Sequence, residues 1–87
     1  MDAAGWDRFQ RCLDEFHRWP CPYVFKFIVP RDQICAMFRL LAGHEYSIRD
    51  SRHGRYLCFT ARIWMLSSAE VVALYRSARR IEGMIAL

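Results

Sequence analysis

The chain predicts an α+β domain: a four-stranded antiparallel sheet with two helices on one face and an extra helix ahead of the first strand. Three observations lead there. Tyr23 to Val29 and Arg55 to Met65 alternate with the period of two that a half-buried strand needs. Asp2 to Trp19, Arg31 to Leu41 and the segment after Ser67 repeat their apolar residues at three and four, as amphipathic helices do. The 87 residues are 54% hydrophobic, enough for one core without metal or disulfide staples.

The elements follow in order. Trp6, Phe9, Leu13 and Phe16, with Cys12 beside them, form the stripe of the first helix, and Trp19-Pro20-Cys21-Pro22 ends it, because each proline biases its predecessor away from helical angles. Residues 1–21 thus read as a helix with a proline-rich connector, and 22–87 as the domain proper. In the first strand Tyr23, Phe25, Phe27 and Val29 face one way and Val24, Lys26 and Ile28 the other; the lysine marks the wet side. Pro30 closes it. The helix Arg31 to Leu41 turns Ile34, Met37, Phe38 and Leu41 inward and meets a stop at Gly43. His44 to Asp50 alternates again and joins the long strand through Ser51-Arg52-His53-Gly54, whose glycine suits positive φ.

The long strand organises the rest. Leu57, Phe59, Ala61, Ile63 and Met65 make a dry row, and Tyr56, Cys58, Thr60, Arg62 and Trp64 a mixed one. Ser67 and Glu70 form a capping box, so a helix starts there with Val71, Leu74, Tyr75 and Ala78 inward, and Arg76, Arg79 and Arg80 suit its C-terminal end. Ile81 to Leu87 is expected to be the last strand. This order, βαββαβ after a helix, is the ferredoxin-like sandwich, whose second sheet face is open. That face should carry Val24, Lys26 and Ile28 with Tyr56, Cys58, Thr60, Arg62 and Trp64. Either the first helix folds back across it, or a second copy, a protein partner or a small effector covers it.

Charge and composition restrict the function. The net charge of +4 comes from twelve arginines and Lys26 scattered without a run of like charge, a solvated pattern rather than a phosphate-binding stripe. The aromatic platforms of an RNA-recognition sheet are mostly missing: Cys58 stands where a second ring belongs, and Trp64 lies about 27 Å along the strand from Tyr56. Nucleic acid is therefore the alternative partner, through Lys26, Arg49, Arg52, Arg55 and Arg62. Cys12, Cys21, Cys35 and Cys58 contain no CxxC pair and read as free thiols. The opening residues, charged every few positions, are neither a signal peptide nor a membrane span, so a cytoplasmic chain is expected.

No catalytic or cofactor-binding constellation emerges. Cys12 and His17 do not share a helix face, so with Cys21 they make no zinc set. His44 and His53 have no residue spaced to orient them as bases, and four glycines supply no phosphate loop.

Several short motifs together resemble the YbeD-like family of small bacterial proteins of unknown function. They are Tyr23 to Pro30, the spacing Ser51-x-x-Gly54-x-Tyr56-x-Cys58-x-Thr60, the helix with Ser67, Glu70, Val71, Leu74 and Tyr75, and the terminal Ile85-Ala86-Leu87. The resemblance runs from about Pro22 to Leu87. Serine is usual in that pattern where this chain has Cys58, and the first helix lies outside the shared part. The resemblance implies an ACT-like fold, similar to regulatory domains that bind effectors, and supplies no catalytic residue. The resulting expectation is a non-enzymatic regulatory module that binds a small effector or a protein partner. By analogy with such domains, Arg31 and Asp32 in the turn after the first strand are candidates to meet an effector.

Overall fold

The computed structural model describes residues 2–51 and 53–87; Met1 and Arg52 lie outside the described residues. Helix α1 spans Ala3–Phe16 and strand β1 Cys21–Pro30; a 3₁₀ turn, Arg31–Gln33, leads into α2, Ile34–Leu40. Strands β2, Tyr46–Asp50, and β3, Tyr56–Met65, form a hairpin, followed by α3, Ser68–Ala78, and β4, Ile85–Ala86. The strands make one antiparallel sheet in the order β2-β3-β1-β4.

The two long central strands pair over their whole length, Cys21 opposite Met65 through Pro30 opposite Tyr56. Partners across a ladder share a face. Phe25, Phe27 and Val29 therefore meet Ala61, Phe59 and Leu57 on the dry side, all buried, with Met37, Leu41 and Val71 among the side chains closing over them. The row Leu57, Phe59, Ala61, Ile63 and Met65 is buried throughout, as the alternation predicts.

The caps explain where the helices begin. Asp2 accepts the Gly5 amide at 2.8 Å and starts α1. Ser67 accepts the Glu70 amide at 3.3 Å, while the Glu70 carboxylate takes the amide of Leu66 at 3.0 Å, one residue earlier than the reciprocal partner of a capping box.

Three expectations need correction. Residues 81–87 do not form a full strand: after α3 the chain tightens through Arg80 N–H to Ser77 O, Ile81 N–H to Ala78 O and Met84 N–H to Ile81 O, and only Ile85 and Ala86 reach the sheet. Gly83 makes that turn with φ of +76°, and Ile81 is buried as a plug of the core. Phe16 is 80% exposed although it belongs to the apolar stripe. At about 100° per residue, Leu13 sits roughly 20° from Trp6 around the helix, Phe9 roughly 60° and Phe16 roughly 80°; burial falls in that order, so Phe16 is on the flank of the stripe. The first turn after β1 is 3₁₀ rather than α-helical.

The position of α1 decides between the alternatives that the sequence leaves open. The helix does not cross the open sheet face. It packs against α3 on the helical side, where Phe9 meets the Tyr75 ring edge-on at 5.5 Å and Trp6 lies beneath Arg76 and Arg79. The reason is chemical fit: Tyr75 already stands on Phe25 and Phe27 at ring separations of 5.1 and 5.9 Å, so Phe9 extends an aromatic stack that begins in the sheet. Trp6 and Leu13 thereby join the same buried cluster as the sheet.

Candidate functional site

With α1 docked elsewhere, one whole face of the sheet is uncovered. Register places its side chains in cross-strand rows: Ser47, Thr60 and Lys26; Arg49, Cys58, Ile28 and Ile85; Arg62 and Val24; Trp64 and Pro22; Tyr56 and Pro30. Trp64 is 61% exposed, and Val24, Ile85 and Tyr56 are each about half exposed, whereas Ile28, Cys58 and Thr60 are partly sheltered by their neighbours. All eight residues expected on this face lie on it.

The surface is amphipathic in a particular way. Apolar groups run along it from Trp64 through Val24 to Ile28 and Ile85, and Lys26, Arg49 and Arg62 rise between them. The paired strand positions of this face include no carboxylate. Glu45, just before β2, lines a shallow depression at the rim with His44, Tyr46, Ser47, Thr60 and Arg62. Ile85, Ser47, Arg49 and the flanking Pro22 and Pro30 are members that sequence reasoning left off this face; the sides of Ile85, Ser47 and Arg49 depend on how β4 and β2 register against their neighbours.

The turn after β1 is differently occupied. The Arg31 guanidinium pairs with the Asp50 carboxylate and donates through Nε to the Gly54 carbonyl oxygen at 2.6 Å, and its backbone amide donates to the Arg55 carbonyl oxygen at 3.0 Å. Arg31 is thus a clamp that ties the start of α2 to the β2–β3 hairpin, the only ion pair among the described residues. Asp32 is exposed and has no share in this clamp. The hairpin is also closed by Ser51, whose amide donates to Tyr56 O at 2.9 Å and whose hydroxyl accepts the Tyr56 amide at 3.1 Å.

Other candidate groups stay apart. The four thiols are free, with Cys12 and Cys35 exposed, and no three His, Cys, Asp or Glu side chains among the described residues converge as metal ligands would. His17 rests between the rings of Trp19 and Tyr23, each at 5.4 Å. The perturbed proton site is structural: burial first, and then the hydrogen bond to Tyr23 at 3.2 Å, push the Tyr75 phenol well above its ordinary value, so it is neutral within the aromatic stack. Among the described residues, no helix is long and apolar enough to cross a membrane.

A family model described as "Protein of unknown function (DUF493)" matches residues 14–87. The chain belongs to this family. The match agrees with the YbeD-like resemblance in the strands and in α3, and it leaves most of α1, including Trp6 and Phe9, outside the DUF493 region. No curated protein and no solved structure matches the chain.

Proposed function

We propose that this protein is a non-enzymatic ACT-like module of ferredoxin-like plan that acts by binding, in a regulatory role, and that its open sheet face takes a protein partner with an acidic surface. The strand order β2-β3-β1-β4 and its antiparallel pairing support the ferredoxin-like plan. The observation that carries the binding reading is the uncovered row Trp64, Val24, Ile28 and Ile85 set among Lys26, Arg49 and Arg62. Exposed aromatic and aliphatic anchors in a basic setting suit recognition of an acidic surface.

Shape favours a protein over a small effector. Small ligands need concave sites that bury most of their surface, and this face is a sheet with a shallow rim depression. At about 3.3 Å per residue and 4.8 Å per strand, its strands of 10, 5, 10 and 2 residues cover roughly 430 Å² in plan, against about 800 Å² per partner in a standard interface. The partner is therefore bound moderately and reversibly. Charge disfavours a second copy meeting it face to face, since three cations would oppose three cations. The engagement of Arg31 with Asp50 and Gly54 likewise weighs against an effector at the turn.

Nucleic acid is the competing reading, from Lys26, Arg49, Arg55 and Arg62, with Arg52 outside the described residues. It is weaker because Tyr56 and Trp64 stand at opposite ends of β3 and cannot stack neighbouring bases.

The test uses the full chain as bait beside Trp64→Ala and Lys26→Glu/Arg62→Glu variants of unchanged melting temperature. A captured acidic protein should be lost with both variants and retained with a variant on the helical side. Capture that ignores the face substitutions sinks the proposal. So does a dimer in light scattering that Lys26→Glu dissolves, a metabolite whose binding maps to the face, or salt-sensitive oligonucleotide binding through it.

A further inference from the structure

Three arginines come together at one place on the helical side. Arg76 stands in the last turn of α3, Arg79 is its C-cap and Arg80 follows in the turn beyond, and the three come to line one place. The guanidinium carbons of Arg76 and Arg79 lie 5.7 and 5.8 Å from the centroid of the buried Trp6 indole. With Trp6, the three arginines line a polar hollow of about 280 Å³. A second hollow of about 250 Å³ adjoins it, sharing Trp6 and Arg79, and is lined otherwise by Phe9, Tyr75, Ala86 and Leu87.

The charge in this composite cleft is poorly balanced from within. None of the three arginines belongs to an ion pair among the described residues. Asp7, next to Trp6 in sequence, lines a different depression with Gln10, Arg11 and Asp14. The C-terminal end of α3 offers about half a negative charge to three cations, and the Trp6 quadrupole carries no net charge. Helix-end electrostatics explains one of these arginines and leaves the others over.

We propose that this cleft binds a small phosphomonoester carrying a flat aromatic group, with the phosphate among Arg76, Arg79 and Arg80 and the ring in the adjoining hollow, against Phe9 and Tyr75. A phosphomonoester is close to a dianion at neutral pH and offers three acceptor oxygens, which suits several guanidinium forks better than a monocarboxylate does. The adjoining hollow, walled by rings and aliphatic groups, is the size of a single ring system. Two of its lining residues, Trp6 and Phe9, come from the part of α1 outside the family match, so the site is not inferred from the family. It is separate from the open sheet face, and either proposal can fail alone.

Phenyl phosphate and adenosine monophosphate are the probes, followed through the Trp6 indole N–H resonance and by calorimetry, with inorganic phosphate and adenosine as controls. Both probes should shift the Trp6 resonance and bind at least about tenfold more tightly than either control. Arg79→Gln should weaken them roughly ten- to a hundredfold and Arg79→Lys less, since charge is kept and the fork lost. Trp64→Ala and Lys26→Glu should leave the affinity within about twofold. Should Arg79→Gln loosen α1, Arg80→Gln, which lines the hollow without lying over Trp6, reports the same loss. The proposal is overturned if neither probe moves Trp6 at about 10 mM, if inorganic phosphate or adenosine binds as well, or if the arginine variants leave the affinity unchanged.

Discussion

The two faces of β3 alternate residue by residue yet live in different media, and the contrast separates what folds this protein from what it can do. Phe59 is fully buried, in edge-to-face contact with Phe38 at 6.0 Å and tilted against Tyr46 at 5.6 Å. One residue on, Thr60 faces out between Ser47 and Lys26. The sharpest attack on this contrast is to shave one residue from each face. Phe59→Ala should cost about 3–5 kcal/mol, a large share of the ~5–15 that holds a domain together, and Thr60→Ala under about 1. Equal losses in chemical denaturation would show that the two faces had been assigned the wrong way round.

A smaller difference separates two glycines in the loops that frame the sheet. Gly43 and Gly83 both have positive φ, +84° and +76°. A Cβ on Gly43 would meet nothing within 4 Å, whereas one on Gly83 would come 2.7 Å from Pro30 Cγ. Gly43→Ala should therefore cost about 1 kcal/mol of backbone strain, and Gly83→Ala about 2, since the chain must also move off β1. Matched melts that found them equal would mean that the turn before β4 is free to shift.

The helical side should also respond to base. The Tyr75 phenol is held above its ordinary value of about 10 by burial and by Tyr23. A folded-state value raised above the unfolded one gives stability that is complete below pH ~10 and is lost as pH rises further, because the unfolded chain releases the proton first. Stability measured upward from about pH 9 should fall, and Tyr75→Phe should flatten that fall. An unchanged slope would assign the alkaline loss to other groups.

Legibility in the sequence followed the same divide. Where one side chain's environment is set by its nearest neighbours along the chain, the reading held: the alternation of β1 and β3, the Ser67 cap, and the eight residues of the open face. Where it depends on a partner far along the chain, the reading failed. The stripe of α1 showed that Trp6 must be buried, but periodicity carries no information about what covers it, and α3 rather than the sheet does so. Apolar composition made 81–87 look like a strand, and a turn at Gly83 that lets Ile81 plug the core was not visible in hydrophobicity alone. The arginines at 76, 79 and 80 were legible as suiting the end of α3, yet the meeting of Arg76 and Arg79 with Trp6 is tertiary.

The finest test of the contrast is a change expected to do almost nothing to stability. Trp64 is 61% exposed and its row partner is Pro22, so it buries little of its ring. Lys26 sits across from Thr60 and joins no ion pair among the described residues. Substitutions away from packed or paired features usually fall within about ±0.5 kcal/mol, so Trp64→Ala and Lys26→Glu should each leave the denaturation midpoint nearly where it was. A surface that contributes this little to holding the chain together can keep a tryptophan only at a cost in solubility, and the partner recognition proposed above would be the physical return that offsets it. If Trp64→Ala instead cost 2 kcal/mol or more, on the scale of about 2 expected for a buried anchor, its ring would be part of the fold and the open face would lose its central contact.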